Sequence, residues 1–124
     1  MCQAVCELSW QCSETAGIPV VAAIGEVDIA SAPAFRDALL RRITQGDPGR
    51  LIVDLTQVPF VDSEGLRALI AARTRCPSGV ALVGVRTGLR RILTITGTER
   101  LFVLAPTRED AALLLSGRSS PGAP

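Results

Sequence analysis

Leu51-Ile52-Val53-Asp54-Leu55-Thr56-Gln57-Val58-Pro59-Phe60-Val61-Asp62-Ser63-Glu64-Gly65-Leu66-Arg67-Ala68-Leu69 contains the change of period that decides the fold. Residues 51–55 are almost continuously apolar, as a strand covered on both faces reads in a sheet with crossover helices. A loop is expected over 56–62. From residue 63 to residue 75 the apolar positions take helical spacing, with Leu66, Leu69 and Ile70 pointing inward, and Cys76-Pro77-Ser78-Gly79 ends the helix.

The same handover repeats towards the C-terminus. Residues 80–85 read as a strand and 88–95 as a helix with Leu89, Ile92 and Leu93 inward and Gly97 as its terminator. Residues 101–104 read as a last short strand. Thr107-Arg108-Glu109-Asp110 has the form of a capping box with aspartate in place of glutamate, opening a helix through Leu115. Towards the N-terminus, Ser31 is placed to cap a helix, Pro33 suits its first turn, and Phe35, Leu39 and Ile43 repeat every four residues. Before it, the valine-rich run 18–24 and the alternating residues 5–11, separated by a turn over 13–17, predict a hairpin. The expectation is an α/β domain: a mixed sheet of one N-terminal hairpin plus parallel strands, flanked by about four helices. Residues 1–116 are read as a single domain and 117–124 as a disordered C-terminal tail.

Composition narrows the chemistry. The chain has 124 residues, 48% hydrophobic and with a net charge of +1, which suits one apolar core and supplies no basic patch for nucleic acid or anionic membrane. All 13 basic residues are arginine, and histidine is absent. Lysine Schiff bases, Ser-His-Asp catalysis and histidine-ligated metals are therefore excluded within this chain. The cysteines, Cys2, Cys6, Cys12 and Cys76, lack paired zinc spacing and read as reduced thiols. No cofactor and no metal are expected. No apolar run is long enough to span a bilayer, and the chain is read as cytoplasmic.

The residues that can carry function gather at the start of the helix at 63. An apolar loop delivers Ser63 there between Asp62 and Glu64, and a helix N-terminus favours an anion such as a phosphate on that serine. Asp and Ser are also the commonest N-cap residues, so plain capping stands beside this reading. Gly65 inside a first turn costs about 0.5–1 kcal/mol relative to alanine, which points to a close approach of other backbone or side chains. Asp28 reaches the same site if the second and third strands are neighbours, or else is an ordinary turn carboxylate. Asp54 resembles a receiver-type phosphoacceptor, but the lysine that such sites need is missing. Ser63 has no glycine two residues before it and no histidine to deprotonate it, so an enzyme is not expected. Arg86, Arg90, Arg91 and Arg100 form a mildly basic stretch, either a solvated face or a surface for an acidic partner.

The succession Gly25-Glu26-Val27-Asp28, Leu51-Ile52-Val53-Asp54-Leu55 and Phe60-Val61-Asp62-Ser63-Glu64-Gly65-Leu66 resembles the STAS domain of bacterial anti-sigma factor antagonists, over nearly the whole chain. The resemblance implies a partner-switching role. Unmodified protein binds an anti-sigma factor that has serine kinase activity and so releases a sigma factor; phosphorylation at Ser63 switches it off, and a phosphatase reverses it. The implied partner-binding residues are Asp28, Asp62, Ser63, Glu64, Gly65 and Arg67, on a monomer or weak dimer. Family members commonly carry a second small residue where this chain has Glu64, whose carboxylate beside the phosphate would tune kinase recognition, repel the added charge, or mark constitutive binding. Two other readings remain: a STAS interaction subunit of a transporter-associated or stress-signalling complex in which Ser63 is only a helix cap, and a module binding a nucleotide or other small ligand.

Overall fold

The computed structural model describes residues 8–45 and 49–118. Five strands form one sheet in the spatial order β1 (Ser9–Thr15), β2 (Ile18–Ile24), β3 (Leu51–Gln57), β4 (Val80–Val83), β5 (Val103–Ala105). β1 and β2 are an antiparallel hairpin, and every later pairing is parallel. The connections are α1 (Ala32–Gln45), α2 (Ser63–Thr74) and α3 (Thr87–Thr96), with α4 (Arg108–Arg118) closing the order.

Strand order equals chain order, and this fixes the layers. Right-handed crossovers that always add the next strand on the same side put all three connecting helices on one face. The larger core accordingly joins Val21, Val53 and Leu82 of the sheet to Phe35 and Leu39 of α1, Leu66 and Leu69 of α2, and Leu89 and Leu93 of α3. The opposite face belongs to α4, where Ile18, Val20, Ile52, Ala81 and Val83 meet Ala111, Ala112 and Leu115. β2, β3 and β4 are thus covered on both sides, which is why they read as apolar runs rather than alternations.

The hairpin departs from expectation. Its first strand runs over Ser9–Thr15 rather than 5–11, and its turn is only Ala16 and Gly17, both at positive φ (53° and 81°). A two-residue turn of that hand matches strand twist, so pairing continues to Thr15↔Ile18. Ser13, Glu14 and Thr15 looked like turn residues because an edge strand with one open side carries polar residues too. Residues 5–7 lie outside the described residues.

Smaller corrections follow the same logic. β4 ends at Val83, the residue before Gly84 (φ 72°). A 3-10 turn, Glu99–Leu101, occupies the expected start of the last strand, which begins at Val103. Gly97 does end α3, in the left-handed conformation with φ 73°. Thr107 does cap α4, its hydroxyl accepting from the Asp110 N–H at 3.0 Å. That helix runs to Arg118, two residues into the expected tail, and 119–124 lie outside the described residues. Cys12 is exposed and Cys76 buried, while Cys2 and Cys6 are not among the described residues.

Candidate functional site

The β2–β3 pairing does not stop at the strand ends. After an irregularity that gives β3 one extra residue between Ala22↔Asp54 and Ile24↔Gln57, the chains pair again at an isolated parallel bridge, Val27↔Val61. Val27 N–H donates to the Phe60 carbonyl at 3.0 Å, and Asp62 N–H donates to the Val27 carbonyl at 3.0 Å. The residues that follow this bridge on each chain are Asp28 and Asp62, so the two aspartates start their respective helices side by side. The expected meeting of Asp28 with the Ser63 segment occurs, by backbone rather than side-chain contact.

Each aspartate caps a helical turn. Asp62 is the N-cap of α2, with extended backbone (φ −93°, ψ −171°), and its Oδ1 accepts from the N–H groups of Glu64 at 2.9 Å and Gly65 at 3.0 Å. Asp28 Oδ1 accepts from the Ser31 N–H at 3.0 Å, while Asp28 N–H donates to Ser31 Oγ at 3.0 Å. This reciprocal pair has the form of a capping box, and it opens the turn that leads into α1, where Ala32 N–H donates to the Asp28 carbonyl at 2.8 Å. Ser31 was expected to be the cap; it is instead the fourth residue of a box capped by Asp28. The hydrogen bonds from the Ser31 N–H and hydroxyl hold the Asp28 carboxyl below the usual carboxylate range.

Ser63 occupies the first position of α2 and is exposed, with no hydrogen bond to its hydroxyl among the described residues. The reading of Ser63 as only a helix cap is therefore corrected, because Asp62 does that work. In the unmodified chain the Glu64 and Gly65 N–H groups, two of the donors expected to face a phosphate at this helix start, are engaged by Asp62 Oδ1. The hydroxyl is exposed and, among the described residues, no base is hydrogen-bonded to it, which suits an acceptor of a group delivered by an outside enzyme.

Gly65 explains its own presence. A Cβ there would lie 2.7 Å from Cγ1 of both Val27 and Val61. Only glycine lets the first turn of α2 rest on the bridge that aligns the aspartates. Glu64 and Arg67 face the other way, onto an open groove of about 700 Å³ between α1 and α2 that is also lined by Ile29, Arg36, Ile70 and Ala71. The groove and the Ser63 loop carry two features that the sequence reading missed: Ile29 and Phe60 are 73% and 50% exposed. A large apolar residue inside a polar capping turn, Asp28-Ile29-Ala30-Ser31, and an aromatic in a loop without strand period were the available signals. Of the basic stretch, Arg86 donates to the Thr56 carbonyl at 3.1 Å.

Asp54 is not a free acceptor. Its Oδ1 accepts from the Thr56 N–H at 2.9 Å and hydroxyl at 2.6 Å, and its Oδ2 pairs with Arg108 Nε at 2.8 Å. Burial pushes its carboxyl up, and the bonds from Thr56 and Arg108 outweigh this and leave it below the ordinary value. It ties α4 to the middle of the sheet.

A hairpin followed by parallel strands, with two capped helix starts aligned at the C-terminal ends of β2 and β3 around an exposed serine, defines a small interaction domain. The profile of the STAS domain family matches residues 9–111, and this chain belongs to that family. It is 31% identical over 97 residues to the anti-sigma-F factor antagonist RsfB of Mycobacterium tuberculosis, covering 77% of this chain and 79% of that one. The crystal structure of an anti-sigma factor antagonist from Mycobacterium paratuberculosis superposes with a TM-score of 0.81 at 29% identity, over 93% of this chain and 99% of the other. The Bacillus cell fate determinant SpoIIAA, in its phosphorylated form, shares the fold at a TM-score of 0.65 and 20% identity, over 86% and 99% of the two chains. Among the described residues no helix is long and apolar enough to cross a membrane.

Proposed function

We propose that this chain is an anti-sigma factor antagonist: it binds an anti-sigma factor that has serine kinase activity, thereby frees a sigma factor, and is released from that partner when Ser63 is phosphorylated. The observation that carries the reading is the state of Ser63, an exposed hydroxyl without a partner among the described residues, held at the first position of a helix whose cap is supplied by its neighbour Asp62. A kinase can reach it without unfolding the domain. The relatives named anti-sigma factor antagonists support the partner class, and a protein of the same fold in a phosphorylated form supports the modification.

The docking face comprises Asp28, Asp62, Ser63, Glu64 and Arg67, with Gly65 buried beneath it as the support of the turn rather than a contact, and the exposed Ile29 and Phe60 add apolar anchors on the loops that flank the serine. Central apolar anchors supply much of the affinity of such contacts, and a charge introduced among them is poorly solvated in the complex. The protein acts in the cytoplasm as a regulator rather than an enzyme, and a phosphatase restores it. Incubation with the anti-sigma factor kinase of its own cell and ATP labels Ser63, and Ser63→Ala abolishes the label. An undiminished label in that variant overturns the site assignment.

A further inference from the structure

Ser63 and Arg67 are four residues apart on α2, so their side chains leave the same face of the helix one turn apart. Both are exposed, and among the described residues neither side chain makes a hydrogen bond or an ion pair. A phosphate on Ser63 adds a charge of about −1.5 to −2 at neutral pH. To use the Glu64 and Gly65 N–H groups it would have to displace Asp62 Oδ1, which engages them at 2.9 and 3.0 Å. Its charged surroundings are otherwise unfavourable: the carboxylates of Asp62 and Glu64 sit on either side in sequence, and Asp28 starts the neighbouring turn. Two cations, Arg67 on its own helix and Arg36 on α1, lie on the wall of the α1–α2 groove, while Arg86 lies on the other side of the loop beside Phe60 and Val61 and donates to the Thr56 carbonyl.

We propose that Arg67 is the internal receptor for the phosphate: on modification its guanidinium leaves the groove wall and pairs with phosphorylated Ser63 across one helical turn. The planar donor fork of arginine fits two phosphate oxygens at once. Modification then alters the docking face at two places. Negative charge appears at Ser63, and positive charge is withdrawn from the groove between α1 and α2, which leaves Glu64 less compensated there. The inference rests on Ser63 being the phosphorylated residue.

The test uses the full chain with phosphoserine incorporated at position 63 during translation, and follows the second ionisation of the phosphate by phosphorus NMR. Arg67→Gln is expected to raise the midpoint by about 0.2–0.4 pH unit, the size of an i,i+4 charge pair on a helix. Arg67→Lys is expected to restore part of the difference, and the Arg67 Nε–H signal is expected to move only in the phosphorylated chain. Equal midpoints for wild type and Arg67→Gln overturn the proposal. So does a midpoint raised by Arg36→Gln and not by Arg67→Gln, which assigns the counter-charge to α1. Because the phosphate is installed without a kinase, failure of Ser63 to be labelled by its kinase overturns the functional reading alone and leaves this result standing.

Discussion

Gly65 ties the site together at the scale of a single residue, since a methyl group there would lie 2.7 Å from a methyl of each of two buried valines, Val27 and Val61. Helix propensity alone favours alanine over glycine by about 1 kcal/mol, while overpacking costs about 1–3 kcal/mol. Gly65→Ala is therefore expected to lose up to about 2 kcal/mol in urea unfolding, and a gain in stability contradicts the close approach. The glycine itself was legible in the sequence, because a first helical turn has no other use for it. The choice of cap was not: Asp62 and Ser63 are equally good cap formers, and only the extended backbone of Asp62 shows which of them starts the helix. Ile29 and Phe60 were apolar letters whose exposure depends on loops from two different crossovers meeting at the C-terminal ends of β2 and β3.

At the scale of elements, α4 is the one helix on its face of the sheet, and it is fastened there by apolar contact and by Arg108 on Asp54. The Asp54 carboxyl lies below its ordinary value in the folded protein. Its contribution to stability is then complete above about pH 4, where the unfolded carboxylate is ionised as well, and is lost as pH falls through the lowered native value. Asp54→Asn is expected to lose about 1–3 kcal/mol at pH 7, the range for hydrogen bonds to a charged group, with the gap from wild type shrinking at pH 3. Urea unfolding at both pH values checks this, and a gap independent of pH contradicts it. The helices and the central strands were legible from period alone, because burial on one stripe or on both faces writes itself into the sequence. The edge strand was not, since Ser9–Thr15 has one open side and its polar residues imitate a turn.

At the scale of the whole molecule, the site lies where the C-terminal ends of β2 and the central strand β3 give way to helices. Three crossover helices on one face bring the starts of α1 and α2 together, and the Val27↔Val61 bridge locks them in register beside Ser63. Fold and site location followed from the order of elements and from the resemblance of the Asp62-Ser63-Glu64-Gly65-Leu66 segment; the occupied cap and the unpartnered hydroxyl required coordinates. The central claim is that charge placed on Ser63 releases the partner without unfolding the domain. Its most direct test is a calorimetric titration of the anti-sigma factor kinase with this chain carrying either serine or phosphoserine at position 63. The account predicts tight binding of the unmodified chain and a loss of at least about tenfold, 1.4 kcal/mol, for the phosphorylated one with its fold intact. Equal affinities of the two forms would contradict it.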